Sequence, residues 1–110
     1  MSAPGAGIGA AAAYQGSVSE AWVYVLRCAD DTLYTGWSTD VQRRLSAHLA
    51  GRASRYTASR LPVALELALA MPDRSAAMRE EARIKRLDRA GKLALIAAHR
   101  LAHPSPRAAR

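Results

Sequence analysis

The sequence predicts a small α/β domain: a three-stranded, mainly antiparallel sheet flanked by about three helices, in the order β-β-α-β-α-α. Three observations predict it. Residues 22–28 are apolar on both strand faces, as a covered central strand requires. Ala29-Asp30-Asp31-Thr32 supplies turn chemistry, so the strand after it returns as the second arm of a hairpin. Beyond the hairpin, apolar residues recur at helical spacing, then in alternation, then at helical spacing again.

With 110 residues the chain is one domain by length. Half of the residues are hydrophobic, but there is no Phe. Leu, Val, Ile and a few aromatics must therefore build a thin core. The formal charge of +7 points to a polyanionic partner, nucleic acid first. Cys28 is the single cysteine, which rules out an intramolecular disulfide and a Cys-based metal site. That fits a reducing, cytoplasmic location. No apolar run approaches the length of a membrane span.

The elements follow in order. Residues 1–19, rich in Ala, Gly and Ser, read as a disordered leader in which residues 10–13 offer at most a short helix. In the first strand Trp22, Tyr24 and Leu26 share one face, and Val23 and Val25 the other. Gly36, late in the second strand, marks a bend or a close approach. Thr39 and Gln42 fit a capping box for a helix whose buried stripe is Val41, Leu45 and Leu49. Arg44 and His48 lie together at one margin of that stripe, and Arg43 points outward. Residues 51–60 form a basic loop in which Arg52, Arg55 and Arg60 alternate with Tyr56 and small hydroxyl residues, suited to a phosphate backbone. After Pro62, Val63, Leu65, Leu67 and Leu69 alternate as a half-buried strand. Asp73 or Ser75 caps the next helix, which runs to about Arg89 and stops at Gly91. A last short helix from Lys92 to about Arg100 turns Leu93, Ile96 and Ala97 inward. The domain thus spans residues 20–101, with a basic flexible tail at 102–110.

Two phenols, a guanidinium, an imidazole and a carboxylate suit phosphodiester hydrolysis. An arginine binds a phosphate in bidentate fashion and stabilises the charge developing on its oxygens. One carboxylate suffices for a Mg²⁺ that keeps most of its waters. A tyrosine can relay the proton of the attacking water, but with a free pKa of about 10 it needs help.

The sequence resembles the GIY-YIG nuclease superfamily. Trp22-Val23-Tyr24 stands for the first motif and Tyr34-Thr35-Gly36 for the second. Arg44, within Asp40-Val41-Gln42-Arg43-Arg44-Leu45, matches the family's helical arginine, and His48 a histidine one turn later. Glu81, within Ala77-Met78-Arg79-Glu80-Glu81-Ala82-Arg83-Ile84-Lys85, matches its metal-binding glutamate. Glu80 stands one residue away and leaves that ligand open by one position. The resemblance covers about residues 21–95 and looks nearest to the small stand-alone bacterial branch. That branch shares the pattern Gly51, Tyr56-Thr57, Arg60-Leu61-Pro62.

The resemblance implies a metal-dependent endonuclease acting on DNA, structured or branched DNA included, with a role in repair or processing. Tyr24 would be general base or water-positioning group, and Tyr34 would orient the phosphate or share that role. Arg44 would stabilise the transition state, Glu81 would hold Mg²⁺ or Mn²⁺, and His48 would assist. Arg43, Arg52, Arg55, Tyr56, Arg60 and Lys85 would bind nucleic acid. The first motif lacks its Gly, Trp37 stands where some members carry Lys, and the chain has no Asn. The other reading is a catalytically weak or inactive nucleic-acid-binding module on the same fold.

Overall fold

The computed structural model describes residues 20–103. The expected leader at residues 1–19 and the tail beyond residue 103 lie outside them.

Strands β1 (Ala21–Arg27) and β2 (Leu33–Ser38) form the hairpin. Helix α1 (Val41–Leu49) and a short α2 (Arg55–Ala58) lead to strand β3 (Ala64–Met71), and helices α3 (Arg74–Lys85) and α4 (Arg89–Ala102) follow. The sheet order is β2-β1-β3, antiparallel throughout. β1 is central because only it can bury both faces. Ala21, Val23 and Val25 pack with Leu67, Ala77, Ile84 and Ile96, so α3 and α4 cover that side. Trp22 meets Val41 and Ala68 on the other side, and Tyr24 and Leu26 meet Leu45 there.

The hairpin turn is set by Asp30, whose Oδ1 accepts from Thr32 N at 3.1 Å and from its hydroxyl at 2.6 Å. Asp31 then takes the left-handed conformation (φ 70) that Asp tolerates better than most residues. Arg27 and Arg89 both hold Asp31, which pins the turn to α4.

The structure corrects several local readings. Asp40, not Thr39, caps α1, its side chain accepting from Arg43 N. Both types cap well, and the sequence offers them in adjacent positions. Leu49 is 47% exposed, while His48 is fully buried and takes its place in the stripe. The basic loop contains a helical turn, α2, capped by Ser54. In β3 the register slips between Leu67, opposite Val25, and Leu65, opposite Leu26. The extra residue is Glu66, so Val63 and Leu65 face α1 whereas Leu67 and Leu69 face α3 and α4. Glu66 itself pairs with Arg27 and Arg100. Asp73 is the cap of α3. That helix ends at Lys85, because Asp88 caps a new one and accepts from Gly91 N at 2.8 Å. Gly91 thus lies in the first turn of α4, where it begins rather than ends a helix. Along α4, Ile96 is buried, but Ala97 is exposed and Leu95 packs instead.

Thr35 is 3% exposed on the α3 side of β2, and its hydroxyl has no hydrogen-bond partner among the described residues. An unmade buried hydrogen bond costs about 1–3 kcal/mol. Thr35→Val keeps the β-branched shape, and its midpoint on thermal melting should rise, by about 4–8 °C for each kcal/mol gained in a domain this size.

Candidate nuclease site

The site is built around Tyr24, the middle residue of the central strand. Its ring lies against Gly36, its cross-strand partner on β2. A Cβ at Gly36 would stand 2.6 Å from the Tyr24 hydroxyl oxygen and 2.7 Å from Cζ. The glycine is there for space, which is the close approach the sequence pointed to. Gly36→Ala must therefore push the phenol away, at the overpacking cost of about 1–3 kcal/mol. A lower melting midpoint together with a shifted His48 ring resonance would register both effects.

The Tyr24 hydroxyl meets His48 Nε2 at 2.8 Å, and His48 Nδ1 meets the Thr57 hydroxyl at 2.8 Å. Thr57 is fully buried, and its hydroxyl stands 2.9 Å from that of Ser54. Ser54 in turn accepts from Thr57 N as the cap of α2. Sequence reasoning placed His48 at a helix margin and missed Thr57 and Ser54. The signal for them was the spacing of a capping serine and a threonine three residues on.

Electrostatics separates the two titrating rings from bulk behaviour. Burial, and then the neighbouring Tyr34, push the Tyr24 phenol up to about 12. Arg44 opposes this by charge and hydrogen bonding, while the charge of Glu81 adds to it. Arg44 on α1 and Glu81 on α3 therefore both act on one phenol, although α1 and α3 lie on opposite sides of the sheet. Burial, and then Arg44, hold the His48 imidazole below its usual range, so it rests neutral.

Tyr34 sets its ring edge-on to His48, with centroids 5.2 Å apart, and stacks on Tyr56 at 5.9 Å. Arg60 lies over the Tyr56 ring, 3.7 Å from its centroid. It also binds Asp30 at 2.9 Å and the Tyr56 carbonyl at 3.0 Å. Arg60 thus ties the loop to the hairpin turn. Arg43, Arg44, Arg52 and Arg55 are exposed and make no ion pair with any described residue. Lys85 pairs with Glu81 at 3.3 Å. Glu80 accepts from Arg83 at both carboxylate oxygens, at 2.9 and 2.6 Å, which holds its carboxyl below the usual range. The charge of Glu81 is felt at Tyr24.

A family model described as the GIY-YIG catalytic domain matches residues 20–94. The chain belongs to the GIY-YIG family. It is 48% identical over 80 residues to UPF0213 protein SAG0778 of Streptococcus agalactiae, covering 73% of this chain and 91% of that one. It is 52% identical over 73 residues to UPF0213 protein VNG_2274C of Halobacterium salinarum, covering 66% and 95%. The solution structure of the UPF0213 protein BH0048 from Bacillus halodurans is 38% identical, covers 80% of this chain and 89% of that chain, and has a TM-score of 0.49. Among the described residues no helix is long and apolar enough to cross a membrane.

In this GIY-YIG chain the donor set is narrow. No group of three or more His, Cys, Asp or Glu side chains converges among the described residues. A lone, partly exposed glutamate fits a hydrated Mg²⁺, which takes one or two carboxylates and completes its shell with water and substrate phosphate. It does not fit a closed, all-protein metal cage.

Proposed function

We propose that the protein is a metal-dependent endonuclease that hydrolyses DNA phosphodiester bonds at the cleft around Tyr24, in DNA repair or processing. The observation that carries this reading is the Tyr24 phenol 2.8 Å from the buried His48 imidazole, within the electrostatic reach of the Arg44 guanidinium and, more weakly, of the Glu81 carboxylate. Binding alone needs no acid inside a basic cleft.

Arg44, an exposed residue of α1 whose charge reaches the Tyr24 phenol, receives the scissile phosphate and stabilises the charge that grows on its oxygens. Tyr34, packed edge-on to His48, orients the phosphate from the β2 side. Tyr24 is a neutral phenol at working pH and so is no standing base. It takes the proton of the attacking water only while passing its own to His48. Glu81 would hold Mg²⁺ or Mn²⁺, whose Lewis acidity stabilises the leaving oxygen.

The phosphate backbone is engaged by Arg43, Arg52 and Arg55, whose guanidinium groups are exposed. Arg60 and Lys85 contribute positive charge from within their ion pairs, and Tyr56 an aromatic edge. Removing an arginine that neutralises one phosphate lowers the slope of log affinity against log salt by about 0.9 on duplex DNA. Replacing Arg52 and Arg55 by Ala should lower that slope accordingly in an anisotropy titration. An unchanged slope takes the loop out of the footprint.

The second reading, a catalytically weak binding module, draws on one observation: Tyr24 is only 2% exposed. Branched, nicked and single-stranded DNAs incubated with Mg²⁺ or Mn²⁺ separate the two. Metal-dependent strand scission supports the nuclease, and binding without scission supports the module.

A further inference from the structure

We propose that Tyr24, His48, Thr57 and Ser54 form a proton wire that carries the proton of the attacking water from the cleft to solvent at Ser54. The proposal rests on the nuclease reading above. Four polar groups lie in series, with links of 2.8, 2.8 and 2.9 Å. The two middle members, His48 and Thr57, are fully buried, whereas Ser54 is half-buried. A proton that leaves the cleft through Tyr24 therefore has a hydrogen-bonded route outward.

Two proton arrangements satisfy every link. In the first, the Tyr24 hydroxyl donates to His48 Nε2, His48 Nδ1–H donates to Thr57, and Thr57 donates to Ser54. In the second, all three bonds run in reverse. Entry of one proton converts the first into the second. The water gives a proton to the Tyr24 oxygen as Tyr24 gives its own to Nε2. Nδ1–H passes to Thr57, the Thr57 proton to Ser54, and the Ser54 proton to bulk water. The hydroxide left in the cleft forms the new P–O bond. The P–O bond to the leaving sugar oxygen breaks, and that oxygen takes a proton from solvent. Each of the four side chains gains one proton, loses one and ends neutral. The reverse shift, with solvent protons, resets the wire after product leaves.

Handing the proton on avoids charging groups that resist charge. The buried phenol does not stand as phenolate, and the buried imidazole beside Arg44 does not hold an extra proton. The outer half of the wire is built by the basic loop, because Ser54 also caps α2 and fixes Thr57 by accepting its N–H at 3.1 Å. Phosphates bound at Arg52 and Arg55, which flank Ser54, would order the same segment.

The test is single-turnover cleavage, in mixtures of H₂O and D₂O, of a DNA that the wild-type protein cuts. Thermal melts and DNA affinities are measured on the same preparations. The wild-type rate should fall along a curve as the deuterium fraction rises, because several protons move together. Thr57→Val, which removes the hydroxyl and keeps the shape, should lower the rate roughly 10²-fold. DNA affinity should be unchanged, and the isotope dependence should become a straight line. Thr57→Ser, which restores a hydroxyl, should recover most of the rate. Cleavage by Thr57→Val at the wild-type rate overturns the wire. So does a drop in rate that keeps the curved dependence, which would make Thr57 a packing residue. A straight line for the wild-type protein overturns it even if Thr57→Val does not fold, and leaves the nuclease reading standing. A wild-type protein that cuts no DNA removes the nuclease reading and the wire with it.

Discussion

Tyr24→Phe should cut DNA roughly 10²–10⁴-fold more slowly than the wild-type protein, the usual worth of a positioned acid or base. The ring stays, and with it the packing of Tyr24 against Leu26, Leu45 and the Gly36 gap. The variant lacks only the hydroxyl that meets His48 Nε2. That hydrogen bond is buried, so melting should report a loss of about 0.5–1.5 kcal/mol, rising to about 1–3 kcal/mol if His48 Nε2 is left without a partner. DNA affinity should hold, because no phosphate-facing arginine changes. Rate and stability together separate the two roles of this tyrosine. A Phe variant with the same small loss of stability and an undiminished rate would make Tyr24 a core residue and move the proton transfer to Tyr34.

Glu81→Gln should abolish cleavage, by at least about 10³-fold, since a metal's stabilisation of transition-state charge is worth several kcal/mol. The amide keeps the shape of the side chain but not the charge that would hold the cation. It also releases Lys85 from its ion pair, so DNA binding should persist or tighten. Glu80→Gln is the matched control. Its carboxylate is turned to Arg83, and an i,i+3 pair on a helix surface contributes at most about a few tenths of a kcal/mol. Cleavage by that variant should remain near wild type. Reversal of the two results would place the metal on Glu80 and break the link between Glu81 and the Tyr24 phenol.

The sheet was legible in the sequence because its central strand is apolar at every position from Ala21 to Leu26, which no edge strand tolerates. Tyr24, Tyr34 and Arg44 could be placed for the same reason: strand parity and helical spacing fix the side from which each enters. What sequence could not carry was tertiary. Nothing in the alternation from Val63 to Leu69 announces the extra residue at Glu66, whose partners Arg27 and Arg100 are far away in the chain. His48 reads as a residue at the margin of the buried stripe, and nothing local shows that it is fully buried with Thr57, nine residues on, as the partner of its second nitrogen. The helix break before Asp88 has no Pro or Gly to mark it, only a capping aspartate within a charged run. Of the basic loop, the sequence shows charge but not its use. Arg60 is bound to Asp30 and stacked on Tyr56, while Arg52 and Arg55 remain exposed.

The most direct test of the central claim is a metal jump on the preformed complex. The wild-type protein is bound to a branched DNA in EDTA, and excess Mg²⁺ is then added under single-turnover conditions. The account predicts intact DNA before the jump and strand scission after it. DNA that stays bound and intact in Mg²⁺ and in Mn²⁺, across branched, nicked and single-stranded substrates, would contradict it.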